Sequence, residues 1–303
     1  MTGAIHPSPQ HGLRILAPAK LNLYLHITGR RDDGYHLIES LIAFTDFGDE
    51  LALTRADALS LHLAGPFAAE LGQGDPKDNL VLRAAHLLED WARTHGMESA
   101  GAGLTLVKHL PVASGIGGGS ADAAAALLGL AALWHMPIDR LALAALGSRL
   151  GADVPACVEG RASMMEGIGE RITPVQPLPP LPVVLVNPRI PLATPAVYRH
   201  FREHERIDPT QRPKPAGPFA DAAALFSALA TTHNDLQPAA IALCPEIARV
   251  LAALRDTGAG LARMSGSGAT SFGLFADKAS AAAAAARIRA AEPGWWVAEG
   301  QLA

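Results

Sequence analysis

Apolar and polar positions recur at two different periods along this chain, and the switch between them lays out its elements. Near the front, Leu21, Leu23, Leu25 and Ile27 occupy alternate positions, the period of a half-buried strand. Apolar runs at 14–18 and 36–44 and shorter ones at 49–54 and 59–64 predict further strands. Between 21–29 and 36–44 lies Arg30-Arg31-Asp32-Asp33-Gly34-Tyr35, a polar turn with Gly where a positive φ is needed. From 79 to 93 the period changes: Leu80, Leu82, Ala85, Leu87, Leu88 and Trp91 fall on one face of a helix. A strand is predicted at 104–110 and helices at 119–134 and 138–150.

Beyond about 160 the texture shifts. Residues 161–175 read as a hairpin around a Gly turn, and five prolines between 174 and 182 suit a connection. A buried strand is predicted at 182–188, helices at 236–256 and 278–291, and a strand, a Gly loop and a strand within 258–275. Residues 202–218 form a charged, Pro-rich excursion to which the pattern gives no role. The expectation is an α+β protein of two domains, 1–163 and 164–303, in keeping with roughly 100–200 residues per domain.

Composition narrows the function. Apolar residues make up 49% and charged residues 18%, below the usual share of about 25%, which implies a large core. The formal charge is −4, so no basic surplus exists to hold a nucleic-acid backbone and none is expected as a partner. Cys157 and Cys244 form no CxxC pair, which fits a reducing cytoplasm. The N-terminus lacks a signal-peptide pattern, and the longest apolar run, Ala123 to Trp134, has 12 residues. A membrane helix needs about 20, so a soluble cytoplasmic protein is expected.

The chemistry concentrates at 111–122. Pro111-Val112-Ala113-Ser114-Gly115-Ile116-Gly117-Gly118-Gly119-Ser120-Ala121-Asp122 puts four glycines among five residues, directly before an Ala-rich helical stretch. Glycines let successive N–H groups turn toward one centre, and a helix start adds its own free amides and partial positive charge. That combination makes a phosphate site. No Gly-Lys pair occurs anywhere, so this is not a Walker A loop. A dinucleotide fingerprint fits badly too, because Gly115-x-Gly117 leads to Ser120 rather than Gly.

The segment PVASGIGGGSADAAAAL resembles the second motif of the GHMP kinases, the superfamily of galactokinase, homoserine kinase and mevalonate kinase. APAKLNLYLHI at 17–27 resembles its first motif and MSGSGATSFGLF at 264–275 its third, in the same order. GRRDDGYHLIES, LGADVPACVEGRASMMEGIGE and HNDLQP are similar to the branch acting on a cytidine diphosphate-linked methylerythritol in the non-mevalonate route to isoprenoids. Relatives often carry Gly where this chain has Ala113 and Ser114, and a second Ser at Ala121.

The resemblance implies a two-domain GHMP kinase fold with the active site in the inter-domain cleft, ATP and Mg²⁺ as cofactors, and a monomer or weak homodimer. It implies that 111–121 hold the ATP phosphates, with Asn79 and Lys108 bordering the adenine. A helix cap and a strand-end charge are the plain readings of those two, and Ser120 is a metal or phosphate ligand or an N-cap. Lys20 and Asp153 become the catalytic pair. An isolated Asp has a pKa of about 3.9, and burial alone would favour its neutral form, whereas a nearby ammonium keeps it ionised. Phosphoryl transfer through a loose transition state needs only a weak, well-aimed base.

Asn22, Tyr35, His36, Thr194, Ser265, Gly266 and Ser267 are implied on the substrate side. Tyr35 and His36 would clamp cytidine, Ser265 to Ser267 would lie beside the diphosphate, and Thr194 would lie near substrate or simply cap a helix before Pro195. Asp122 is expected in the first helical turn, pointing outward. No metal ligand set is assigned. A sister kinase for mevalonate, homoserine or a sugar, and an inactive ligand-sensing relative, remain open alternatives.

Overall fold

The computed structural model describes residues 5–8, 12–72, 75–97, 100–204, 213–215 and 217–302. Most of the 202–218 excursion lies outside the described residues. The first half of the chain comprises β1 (Ile5–Ser8), β2 (Gly12–Asn22), β3 (His26–Arg30), β4 (His36–Ala56), β5 (Ser60–Ala64), α1 (Ala68–Leu71), α2 (Leu80–Thr94), β6 (Gly101–Val107), α3 (Gly118–Leu133), α4 (Arg140–Gly147) and α5 (Val154–Glu159). The second half comprises β7 (Ser163–Gly167), β8 (Arg171–Pro174), β9 (Pro182–Asn187), α6 (Thr194–His204), α7 (Ala222–Ala230), α8 (Gln237–Leu243), α9 (Glu246–Asp256), β10 (Leu261–Met264), β11 (Ser271–Leu274), α10 (Lys278–Ala291) and β12 (Trp296–Gln301).

Two compact units form, and they interleave in sequence. One holds residues 1–19, 47–112 and 117–160; the other holds 20–46, 113–116 and 161–303. A single cut at 163 therefore misses that 20–46 and 113–116 cluster with the later residues. The reason is that β2 and β4 are each long enough to begin in one unit and end in the other.

In the first unit, the end of β4 pairs antiparallel with β6, from Glu50↔Val107 to Ala56↔Gly101, and β5 runs parallel to β6. In β6 Ala102, Leu104 and Leu106 are buried on alternate positions, which is the period that makes it a strand. Gly48 keeps β4 continuous where two strands were expected: a Cβ there would lie 2.0 Å from the Ala17 carbonyl oxygen of β2, so only glycine permits that approach. Helix α2 is capped by Asn79 and buries Val81, Ala84, Ala85, Leu87, Leu88 and Ala92. Helix α3 buries nearly every side chain beside α2, α4 and α5. The helix expected over 138–150 ends at 147, and Pro155 starts the separate turn α5.

In the second unit, β10, β11, β9 and β12 form an antiparallel sheet in that order. Its core packs Val184 and Val186 against Val250 and Leu254 of α9 and Ala281, Ala284, Ala285 and Ile288 of α10. The expected helix 236–256 is two helices, because Pro245 starts α9 and cannot continue α8. The first half of β4 pairs with β3 and with β7, and β7–β8 is the expected hairpin. Cys157 and Cys244 are buried and form no disulfide. Among the described residues no single helix is long and apolar enough to cross a membrane.

Candidate active site

The glycine segment has an alternating backbone. Ala113, Gly115 and Gly117 have φ of 50°, 78° and 67°, so every second residue is left-handed, a conformation that turns neighbouring N–H groups toward one concavity. The carbonyls are drawn the other way. Ser114 O accepts from Thr270 N at 3.2 Å, Gly115 O from Ser265 Oγ at 3.1 Å, and Ile116 O from Lys20 N at 2.9 Å. Glycine is required at 115 on two counts: its φ, and the 2.6 Å that would separate a Cβ from Gly268 O. Helix α3 starts at Gly118, its N-cap Gly117 offers no side-chain acceptor, and the ladder opens with Ala121 N donating to Gly117 O at 2.8 Å. The first-turn amides are thus left for another acceptor. Pro111 is buried and Val112 half-buried as the segment enters.

Beneath that helix start sits a charge cluster that the sequence pattern did not reveal. Lys108 Nζ donates to Asp122 Oδ2 at 2.7 Å and to Asp49 Oδ2, and all three side chains are buried. Asp49 Oδ1 also accepts from the backbone of His109 and Leu110, at 2.6 and 2.8 Å. A Cβ on Gly118 would come 3.2 Å from Lys108 Nζ, so the cluster lies against the first turn of α3. Asp122 therefore points inward, not outward, and its carboxyl is pushed up to about 7 by burial, against the pull of Lys108 and with the push of Asp49. Burial lowers the Lys108 pKa, but the two carboxylates outweigh it and the net direction is up.

Lys108 was expected at the adenine. Its ammonium is committed to two carboxylates, its N–H to Ala64 O and its carbonyl to Phe67 N, so its observed work is to hold the fold. Asn79 Oδ1 accepts from Val81 N at 2.9 Å as the cap of α2. It stays near the glycine segment, since a Cβ on Gly119 would touch Leu80 at 3.3 Å.

At the end of β2, Lys20 and Asn22 are buried, and Lys20 Nζ donates to Asn22 Oδ1 at 3.5 Å. The Asn22 N–H donates to Ser265 Oγ at 3.1 Å. Ser265 thereby joins the first and third motifs to the Gly115 carbonyl of the second. Asn234 Nδ2 donates to the carbonyls of Met264 and Gly266, both at 2.8 Å, and fixes that turn. Ser267 Oγ lies 2.7 Å from Thr194 Oγ1, the residue that opens α6. Asp153 occupies the N-cap position of α5 without a side-chain capping bond.

Tyr35 is exposed, 62% of its surface open, and its N–H donates to Asp33 Oδ1 at 3.2 Å. His36 packs against α6, with ring centroids 5.2 Å from Tyr198 and 5.8 Å from Phe201. Burial, then Arg30 and Arg202, lower its pKa, which leaves a neutral imidazole at neutral pH. Tyr198 and Phe201 were missed, although their spacing of three in a helix puts them on one face.

Residues 79–161 match the family described as GHMP kinases N terminal domain, and 217–294 match GHMP kinases C terminal. A 4-diphosphocytidyl-2-C-methyl-D-erythritol kinase of Cereibacter sphaeroides is 53% identical, with 94% of this chain and 98% of the relative aligned. One of Paracoccus denitrificans is 52% identical over 96% and 97%. The crystal structure of a 4-(cytidine 5'-diphospho)-2C-methyl-D-erythritol kinase superposes with a TM-score of 0.75 at 36% identity, covering 95% of this chain and 98% of that one. With its three motifs in order and half its residues shared over nearly its whole length, the chain belongs to the GHMP kinases, in the family of 4-diphosphocytidyl-2-C-methyl-D-erythritol kinases.

Proposed function

We propose that this ATP-dependent small-molecule kinase transfers the γ-phosphoryl group of ATP to the 2-hydroxyl of 4-diphosphocytidyl-2-C-methyl-D-erythritol, giving the 2-phosphate and ADP. The observation that carries the reading is the backbone of 113–117, left-handed at alternate residues with three successive carbonyls tied back, in a chain about half identical to kinases of that name. Such a backbone presents amides to an anion. Residues 111–121 take the triphosphate, and Asn79, the cap of α2, and Lys108, just past the end of β6, support that segment.

Asp153 accepts the proton of the substrate hydroxyl, and Lys20 steadies the charge that develops on the transferring group. Tyr35 and His36, backed by Tyr198, take the pyrimidine; the neutral His36 ring suits a hydrogen bond to an uncharged base. Asn22, Thr194 and Ser265 to Ser267 take the rest of the substrate. Among the described residues no group of three or more His, Cys, Asp or Glu gathers. That suits Mg²⁺ carried in by the nucleotide, since this ion keeps several waters and takes few protein ligands. The Ser120 hydroxyl in the first turn of α3 is the ligand the chain offers. The ion would neutralise charge on the β- and γ-oxygens.

The test is coupled ADP release across a panel of acceptor alcohols. Turnover with the cytidylyl compound and none with mevalonate, homoserine or galactose is expected; the reverse preference would make this a sister kinase. Asp153→Asn and Lys20→Ala should each lower kcat by about 10²–10⁴ while ATP still binds. A folded variant keeping most of its rate would remove that residue from the chemistry.

A further inference from the structure

A short run of hydrogen bonds leads away from Lys20, and its direction is fixed at the far end. The Tyr24 carbonyl can only accept. Ser40 Oγ lies 2.5 Å from it and must place its single proton there. The hydroxyl then has only lone pairs for Asn22, whose Nδ2 stands 2.8 Å away and donates to it. This leaves Asn22 Oδ1 on the side of Lys20 Nζ, at 3.5 Å. Turning the amide over would set two donors against each other at Lys20 and two acceptors against each other at Ser40. Each mismatch would leave a buried polar group without a partner, since Lys20, Asn22, Tyr24 and Ser40 are all buried.

We propose that Ser40 is a positioning residue for the kinase reaction: its hydroxyl, oriented by the Tyr24 carbonyl, sets the Asn22 amide so that its oxygen faces the Lys20 ammonium and fixes where that charge stands. The inference rests on the reading of Lys20 as catalytic. Ser40 itself touches neither reactant. The relay is made wholly of neutral groups, so it aims the ammonium without neutralising it.

The experiment compares Ser40→Ala and Ser40→Thr with the wild type and with Lys20→Ala, in full-length enzyme at saturating substrates. Ser40→Ala should lower kcat about tenfold, with KM for ATP within twofold. Ser40→Thr, which retains the hydroxyl, should recover kcat to within threefold of wild type. A role in packing alone would lower the melting temperature of Ser40→Ala and leave kcat per folded molecule unchanged. A Ser40→Ala kcat within twofold of wild type, beside an inactive Lys20→Ala, would overturn the proposal. A fully active Lys20→Ala would instead overturn the reading of Lys20, and this inference with it. Should Ser40→Ala fail to fold, the wild type decides through the side-chain amide of Asn22. One Nδ2 proton exchanging with water at least tenfold more slowly than in free asparagine is expected; exchange of both at the free rate would sink the idea.

Discussion

Lys20 and Lys108 are 3% and 2% exposed, and the chain fixes them by different chemistry. Around Lys108 the fixing groups are carboxylates, Asp49 and Asp122, which hold the ammonium in place and balance its charge. Among the partners of Lys20 is the amide of Asn22, itself bonded to the Ser40 hydroxyl, and neither of these groups carries charge. Burying an ammonium is costly in either case. The difference teaches that two equally buried lysines can be held by different chemistry, one balanced by carboxylates and the other met by a neutral amide.

The largest effect that could break this contrast is on stability. Lys108→Met would leave two carboxylates buried without a cation, and urea denaturation at pH 7.5 should show a loss of about 3–5 kcal/mol. Part of that loss should return at pH 5, where Asp122 can take up a proton. Lys20→Ala should cost less than half as much while removing turnover. Equal losses in the two variants would erase the distinction.

A smaller effect sharpens it through pH. The Asp122 carboxyl titrates near 7 in the fold against an ordinary value of 3.8, so between those values the folded state holds a proton that the unfolded state has released. Stability from this group is complete below about 4 and is lost as pH rises through 7, at no more than about 1.4 kcal/mol per pH unit. Asp122→Asn, which imitates the protonated acid, should lack that fall. The gap between the two unfolding curves should widen in favour of the variant from pH 5.5 to 8; parallel curves would mean that Asp122 stays ionised throughout.

The smallest lies in the backbone. Ala113 holds φ at 50°, a region that costs a residue with a Cβ roughly 1–2 kcal/mol. Ala113→Gly relieves that strain but gives the unfolded chain more freedom, so thermal unfolding should show a net gain of at most about 1 kcal/mol. A loss would mean that the alanine side chain contributes packing.

The sequence made local patterns legible and distant partners illegible. The glycine segment and the start of α3 could be read because the residues that build them are adjacent, and the α2 cap was visible in Asn79 for the same reason. Asp122 was misjudged because its partner Lys108 is 14 residues away and the other acid, Asp49, is 59 from that lysine. Ser265 was placed near substrate by motif, but its bond to Gly115 O spans 150 residues and no periodicity announces it. In the fold, Gly48 hid the continuity of β4, and an Ala-rich run across Cys244-Pro245 hid the break between α8 and α9. Strand β12 went unseen because all six of its residues are partly or wholly exposed, without the alternation that marks an amphipathic strand.

The tethers on the carbonyls of Ser114, Gly115 and Ile116 come from Thr270, Ser265 and Lys20, groups that belong to the protein and not to any nucleotide. The shape proposed to receive an anion is therefore set by the protein alone. The loss of chain freedom needed to make it occurs once, at folding, and does not recur with each catalytic cycle. Nucleotide capture by this segment should accordingly be limited by encounter rather than by rearrangement.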